Sequence, residues 1–153
     1  MTGTIVERLK DARDLDGVVA IEAASFNNPT TREWYEGELR RQDVCFIYVI
    51  RTPEQPVAGF CAFWRVAEQL HINNLAIRPE LRGRGLGACL LRAVIAEAAA
   101  MGAHHATLEV RRSNVAAIRL YAHAGFQQVG VRRDYYNQPV EDALVLALQE
   151  KDA

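Results

Sequence analysis

The sequence predicts a single α/β domain of the α+β kind, in which a mixed and mostly antiparallel central sheet carries helices on both faces. The chain has 153 residues, 50% of them hydrophobic and 24% charged, which suits one globular domain with its own core. Segments with strand and helix periodicity follow one another in the order β-α-α-β-β-β-α-β-α-β-β. No linker, internal repeat or low-complexity tract interrupts them, so we expect one domain over residues 1–153.

The first half of the chain predicts a strand, two helices and a meander. Residues 4–9 alternate like a half-buried strand, and residues 12–25 carry apolar side chains at helical spacing. Thr30 and Glu33 match a capping box, which predicts a second short helix after a break at residues 27–30. Three segments with short connectors then predict antiparallel strands, namely 44–51, 57–66 and 70–77.

The second half predicts alternating helices and strands. A helix is expected over residues 86–101, and a buried strand over 105–110. Ser113 or Asn114 caps a further helix over 115–124, which Gly125 ends. Strands over 127–136 and 142–149 close the sheet. The β-α-β stretch between residues 70 and 110 predicts two parallel strands with a right-handed crossover.

Composition argues against several classes of protein. The net charge of −1 gives no indication of a nucleic-acid partner. No apolar run approaches the roughly 20 residues of a membrane helix, and the charged N-terminus does not resemble a secretory signal, so we expect a cytoplasmic protein with no membrane partner. Cys45, Cys61 and Cys89 form no CxxC pair, and the histidines show no ligand spacing with them. We therefore expect reduced thiols and no metal.

Charge is unevenly distributed along the chain. Residues 78–133 contain nine arginines against three acidic residues. Arginines beside a glycine-rich loop suit an anionic ligand, because the guanidinium group matches phosphate in charge and geometry. A solvated arginine face is the alternative, and charge alone leaves both open.

The glycine-rich loop is the most informative segment. Residues 81–90 read LRGRGLGACL, with Gly83, Gly85 and Gly87 at alternate positions before a predicted helix. Glycines allow backbone N–H groups to approach a ligand, and a helix N-terminus favours negative charge. The loop therefore predicts a pyrophosphate site.

Several kinds of site contain such a loop. A Walker A loop requires Lys-Ser/Thr after the last glycine, whereas this chain continues with alanine and cysteine. The dinucleotide fingerprint fits Gly83, Gly85 and Ala88, with Glu109 about twenty residues further on. Residues 78–81 separate the strand from the glycines, however, and the antiparallel meander does not suit a doubly wound sheet. A glycine-rich turn without a ligand is the remaining alternative.

The loop and the segments after it resemble the GNAT superfamily of N-acetyltransferases. The loop matches the pattern Q/R-x-x-G-x-G/A, and residues 113–126 match S-N-x-x-A-x-x-L-Y-x-x-x-G-F. Together with HINNLAI, VRRDYYN and EDALVLAL, these segments resemble the ribosomal-protein-alanine branch of the superfamily. The resemblance is close over residues 71–148 and extends to the first half in element order.

The resemblance implies that acetyl-coenzyme A is the acetyl donor. It implies that a bulge separates the strand carrying Leu75, Ala76 and Ile77 from its neighbour, so that their backbone groups pair with pantetheine and polarise the thioester carbonyl. Asn114 is implied as a cofactor contact, although helix capping alone explains it. The loop residues implied to bind the pyrophosphate are Arg82, Gly83, Arg84, Gly85, Leu86, Gly87 and Ala88.

Acetyl transfer to an amine requires a base, an oxyanion donor and an acid. Glu109, at the end of a predicted strand, is the candidate base, acting directly or through a water. A carboxylate base works best if partial burial raises its pKa toward neutrality; pairing of Glu109 with Arg111 or Arg112 is the alternative. Tyr121 is the candidate acid, because a phenol is protonated at neutral pH, and a core aromatic is the alternative. The resemblance assigns both roles. No cysteine has an adjacent base motif, so we expect direct attack in a ternary complex.

The resemblance implies a protein N-terminus as the acceptor, the alanine of a ribosomal protein. Tyr135 and Tyr136 are implied to line the peptide entrance; ordinary strand aromatics are the alternative. One segment departs from the pattern, because residues 27–31 read NNPTT where a Pro-Trp-Ser-like element is usual. That segment forms one wall of the acceptor groove in the superfamily. Lysine side chains, a small amine and a catalytically silent coenzyme A sensor therefore stay open.

Overall fold

The structure, a computed structural model, describes residues 3–149. Its centre is a seven-stranded sheet in the order β1-β2-β3-β4-β5-β7-β6, in which only β4 and β5 are parallel neighbours. The predicted mixed, mostly antiparallel sheet and its parallel pair are confirmed. The strands are β1 Ile5–Arg8, β2 Cys45–Arg51, β3 Gly59–Val66, β4 Gln69–Ile77, β5 His105–Arg111, β6 Gln127–Tyr136 and β7 Glu141–Gln149.

Four α-helices cover the two faces of the sheet, as predicted. They are α1 Leu15–Ser25, α2 Arg32–Leu39, α3 Leu86–Ala100 and α4 Val115–His123, with 3-10 turns at Ala12–Asp14 and Pro79–Leu81. On one face, α1 and α2 pack into a core with side chains such as Ile47 and Phe60. On the other face, α3 and α4 pack with Phe63, Leu70 and Leu108. None of the helices within residues 3–149 is long and apolar enough to cross a membrane.

The N-terminus of α2 lies one residue later than the sequence predicts. The Thr31 hydroxyl accepts the backbone N–H of Trp34 at 3.2 Å, so Thr31 and not Thr30 is the cap. Thr30 is engaged elsewhere, because its N–H donates to the carboxylate of Glu22 on α1 at 3.0 Å. That contact between elements is invisible to a local capping pattern. At α4, Asn114 is the cap and accepts the N–H of Ala117 at 3.2 Å.

The sheet opens between β4 and β5. Their pairing runs only from Gln69 opposite His105 to Ile72 opposite Leu108, although β4 continues to Ile77. On the other side of β4, the register with β3 shifts so that Asn73 is an extra, bulged residue. A bulge bends its strand and increases the local twist, which here separates β4 from β5. The bulge that the resemblance implied is therefore present, and the opening positions the site.

Candidate active site

A cavity of about 630 Å³ occupies the opening between β4 and β5. Its walls come from both strands, from the segment joining α1 to α2, from α4 and from the β6–β7 hairpin. Six of the residues predicted for the site line it, including both catalytic candidates: Leu75, Glu109, Asn114, Tyr121, Tyr135 and Tyr136. The predicted strand residues Ala76 and Ile77 and the glycine-rich loop lie outside this lining.

Glu109 lies on β5 and lines the cavity, with 12% of its side chain exposed. The His71 ring on β4 places Nε2 at 2.9 Å from Oε2 of Glu109 and at 3.3 Å from Oε1. The Tyr135 hydroxyl donates to Oε1 at 3.4 Å. The carboxylate is therefore held from two sides, by β4 and by the hairpin. Arg111 and Arg112 pair with Glu141 and Asp142 instead, so the predicted alternative of a pair with Glu109 is wrong.

The hydrogen bond from His71 controls the charge of Glu109. It holds the pKa of the Glu109 carboxyl below its ordinary value, and burial, which acts in the opposite direction, is the smaller effect. The same contact raises the pKa of His71. Burial therefore does not decide the direction of the pKa shift of Glu109, because His71, which the sequence alone does not place beside it, has the larger effect. The parallel pairing of β4 with β5 is the signal that could have found it.

Tyr121 lies on the inner face of α4, where it is buried and still lines the cavity. Its ring meets that of Phe126 edge to face, with centroids 5.4 Å apart. Burial raises the pKa of Tyr121 further above its ordinary value, so the phenol keeps its proton at neutral pH. The side chain thus packs in the core and also reaches the cavity.

A buried carboxylate fixes the segment between α1 and α2. Glu22 is 1% exposed and accepts from the Tyr35 hydroxyl, the Asn74 side-chain amide and the Thr30 N–H. Burial raises the pKa of Glu22, whereas these hydrogen bonds act in the opposite direction. Asn74 also donates to the Thr30 hydroxyl at 3.0 Å. The network attaches one cavity wall to β4 next to the bulge. The signal for this network in the sequence is an acidic residue on the apolar face of α1.

Arg111 positions the β6–β7 hairpin. Its guanidinium donates to the carbonyls of Asn137 and Pro139 at 2.9 and 3.0 Å and pairs with Glu141 at 3.1 Å. It also lies 4.5 Å from the centroid of the Tyr136 ring. The Asn28 amide donates to the same Asn137 carbonyl at 2.8 Å. The hairpin turn and the α1–α2 segment therefore meet at the rim of the cavity.

The glycine-rich loop leads into α3 with a backbone that requires glycine. Gly83 and Gly85 have φ values of 80° and 81°, in the left-handed region, and Gly85 is the cap of α3. A Cβ added at Gly83 would meet nothing within 4 Å, so conformation and not packing selects glycine there. Arg82 donates to the Ile77 carbonyl at 3.0 Å, and Arg84 pairs with Glu54 at 3.3 Å. The loop is thus tied to the end of β4, and its residues 82–85 are exposed to solvent.

Within the described part of the chain, no three His, Cys, Asp or Glu side chains lie close enough together to hold a metal ion.

Comparisons with known proteins agree with this geometry. The acetyltransferase (GNAT) family model matches residues 9–126. A Bacillus subtilis protein provisionally named a ribosomal protein bS18-alanine N-acetyltransferase is 38% identical over 133 residues, 87% of each chain. The Salmonella typhimurium enzyme of that name is 34% identical over 137 residues, 88% of this chain and 90% of the relative.

The fold comparison gives the same result. The crystal structure of the ribosomal-protein-S18-alanine N-acetyltransferase from Escherichia coli superposes with a TM-score of 0.87 at 28% identity, over 98% of this chain and 96% of that one. The family match, the relatives and the fold agree along most of the sequence. The chain therefore belongs to the GNAT family of acetyltransferases.

Proposed function

We propose that this acetyltransferase acetylates the α-amino group of a protein that begins with alanine, with ribosomal protein bS18 as the first candidate. One observation carries the proposal: a single cavity, reached between the α1–α2 segment and the β6–β7 hairpin, is lined by both a carboxylate and a phenol, Glu109 and Tyr121. The acceptor comes from the names of relatives that match this chain over nearly nine-tenths of its length.

The residues present suit coenzyme A. Leu75, Ala76 and Ile77 lie beyond the last β4–β5 pair, so β5 does not use the backbone groups that this segment turns away from β3. Apart from the Ile77 carbonyl, which accepts from Arg82, these groups are available to the amides of pantetheine. The left-handed glycines and the N-terminus of α3 suit the pyrophosphate, which is bound by the backbone amides of residues 83–88, since that of Arg82 donates to the Pro79 carbonyl. Asn114 caps α4 through its oxygen, which leaves its NH₂ group for pantetheine. When bound, acetyl-coenzyme A supplies the thioester carbonyl that the amine attacks.

The two catalytic side chains act on different protons. Glu109 receives the proton of the acceptor ammonium, directly or through a water, so that the nitrogen lone pair is free to attack. Tyr121 donates its hydroxyl proton to the departing thiolate. Its buried phenol suits this role, because burial keeps it un-ionised until the thiolate forms. Tyr135 donates to Glu109 and, with Tyr136, lines the acceptor entrance.

The rim favours a chain end as the acceptor. The Asn28–Asn137 hydrogen bond joins the two walls of the entrance, and Glu22 fixes one of these walls from beneath. A free N-terminus is narrow and extended enough to enter such an opening, whereas a lysine within a folded surface brings its neighbouring backbone with it. The NNPTT segment thus supplies a wall in place of the Pro-Trp-Ser-like element, and Trp34 on α2 lines the cavity next to it.

The test is mass spectrometry of peptides incubated with the purified protein and acetyl-coenzyme A. Half of the peptides start with a free alanine and lack lysine; the other half have blocked N-termini and free lysines. We expect acetylation only of the free alanine, and a loss of about 10²-fold or more in the Glu109→Gln variant with acetyl-coenzyme A affinity retained. Acetylated lysines alone would contradict the acceptor. Absence of product despite thermal stabilisation by coenzyme A would indicate a silent sensor.

A further inference from the structure

We propose that His71 receives, through Glu109, the proton that leaves the acceptor amine. This inference rests on the proposed role of Glu109 as the base and adds a residue that acts behind it. The His71 ring places Nε2 within hydrogen-bond distance of both oxygens of the Glu109 carboxylate, at 2.9 and 3.3 Å. The two side chains come from neighbouring parallel strands at the point where these strands begin to separate. His71 is therefore a positioning residue that also stores a proton.

Asn73 determines which ring nitrogen is free to accept. Its carboxamide oxygen lies 2.9 Å from Nδ1 of His71, so a neutral ring carries its proton on Nδ1 and donates it to Asn73. The lone pair of Nε2 then faces Glu109. Because Asn73 is the bulged residue, the irregularity that opens the sheet also orients the imidazole.

The proton can be followed atom by atom. The N–H bond of the acceptor ammonium breaks, and the proton moves to a Glu109 oxygen. The proton then passes from the Glu109 carboxyl to Nε2 of His71, which restores the carboxylate and leaves an imidazolium that donates to two oxygens. The His71 side chain is 34% exposed, so the imidazolium can return its proton to solvent after the product leaves.

The relay solves a difficulty that Glu109 has on its own. A carboxylate with an ordinary pKa of about 4 is a weak acceptor for an α-ammonium group, whose pKa lies near 8. The imidazole has a raised pKa and so retains the proton better. Other groups face the pair: Arg132 on β6 lowers both pKa values, Tyr135 donates to Glu109, and the Trp64 ring on β3 lies 6.0 Å from that of His71.

The first readout requires no catalysis. Histidine-labelled protein is titrated by ¹⁵N NMR as wild type, Glu109→Gln and Asn73→Ala. We expect an His71 pKa above the ordinary histidine value, a neutral ring protonated on Nδ1, and a lower pKa in both variants. A neutral ring protonated on Nε2, or a pKa unchanged by Glu109→Gln, would overturn the relay even if the protein acetylated no α-amine.

The second readout is the single-turnover acetylation rate of an alanine-initiated peptide in the ternary complex, followed against pH. We expect the acidic limb of the wild-type profile to coincide with the His71 titration. His71→Gln, which can still donate to Glu109, should lower the plateau rate at least about tenfold and move the limb to lower pH. His123→Gln, on the exposed end of α4, is the matched control. If the acidic limb of the profile does not move in His71→Gln, the histidine has only a structural role and the inference is overturned.

Discussion

The Asn28 side-chain amide donates to the Asn137 backbone carbonyl at 2.8 Å and so joins the α1–α2 segment to the β6–β7 hairpin. The same carbonyl accepts from Arg111 at 2.9 Å, which fixes the hairpin on the other side. Glu22 fixes the opposite wall through Thr30. The entrance to the cavity is therefore built from two anchored segments, which the exposed hydrogen bond from Asn28 to Asn137 joins.

Removing that hydrogen bond should widen the acceptor range. In Asn28→Ala we expect catalytic efficiency toward an alanine-initiated peptide to fall about 2–10-fold, since one hydrogen bond contributes about 0.5–1.5 kcal/mol. Acetylation of lysine peptides should rise relative to acetylation of the alanine-initiated peptide. Paired assays of both peptides measure the ratio. Gln42→Ala removes amide-to-carbonyl hydrogen bonds of the same kind, to Lys10 and Leu39, away from the cavity and should leave the ratio unchanged. An unaltered ratio in Asn28→Ala would mean that the rim does not select the acceptor.

Local signals in the sequence were sufficient for the elements and for part of the site. The left-handed glycines before α3 and the Asn114 cap of α4 act within a few residues of themselves, so their positions could be predicted. The same holds for the β4–β5 pair, because a β-α-β unit constrains its own direction. Glu109 and Tyr121 were predicted from the chemistry of their side chains together with the family pattern, and both line the cavity.

Contacts between distant segments could not be predicted in this way. The His71–Glu109 pair depends on the register of two strands 38 residues apart, which periodicity does not give. The shift of the α2 cap from Thr30 to Thr31 depends on a buried carboxylate in another helix. The direction of the pKa shift of Glu109 could not be predicted for the same reason, because a partner from β4 outweighs burial.

Glu22 should be required for the geometry of the acceptor wall. Its carboxylate only accepts, and three donors face it; a glutamine would place an NH₂ group against at least one of them. We expect Glu22→Gln to lower the free energy of unfolding by about 1–3 kcal/mol. It should also raise KM for the peptide more than KM for acetyl-coenzyme A. Chemical denaturation and steady-state kinetics measure the two effects.

A second buried carboxylate provides the control. Glu38 on α2 accepts from the Trp64 indole N–H at 2.7 Å, and the oxygen of a glutamine could accept that bond equally well. Glu38→Gln should therefore cost less stability than Glu22→Gln. Equal losses, or a peptide KM unaffected by Glu22→Gln, would contradict the role given to the network.

The His71–Glu109 pair should stabilise the fold in a defined pH window. The raised pKa of His71 means that its contribution is complete below the ordinary value of 6.5 and is lost as pH rises through the folded value. The lowered pKa of Glu109 means that its contribution is complete above 4.5 and is lost as pH falls through its folded value. The contribution of the pair is therefore greatest between 4.5 and 6.5.

Thermal unfolding across pH checks this window. Relative to wild type, His71→Gln should have its largest deficit in Tm, about 2–4 °C, near the middle of the window, and a smaller deficit in alkaline buffer. Because the histidine is partly exposed, added salt should reduce the difference. Glu109→Gln should show the same pH dependence, and the double variant should lose little more than either single one. A deficit independent of pH would show that packing, and not charge, accounts for the effect.

Gly85 should be required for coenzyme A binding in a way that stability alone does not explain. Its φ of 81° is left-handed, and it caps α3, where the pyrophosphate is proposed to bind. Gly85→Ala adds about 1–2 kcal/mol of backbone strain and a methyl group at the phosphate-facing turn, so we expect acetyl-coenzyme A affinity to fall at least about tenfold.

Gly37→Ala is the matched control within α2, where an added Cβ meets nothing within 4 Å and alanine should stabilise the helix by about 0.5–1 kcal/mol. Titration calorimetry on both variants separates the effects. Wild-type affinity in Gly85→Ala, and again in the bulkier Gly85→Val, would show that the phosphates bind elsewhere.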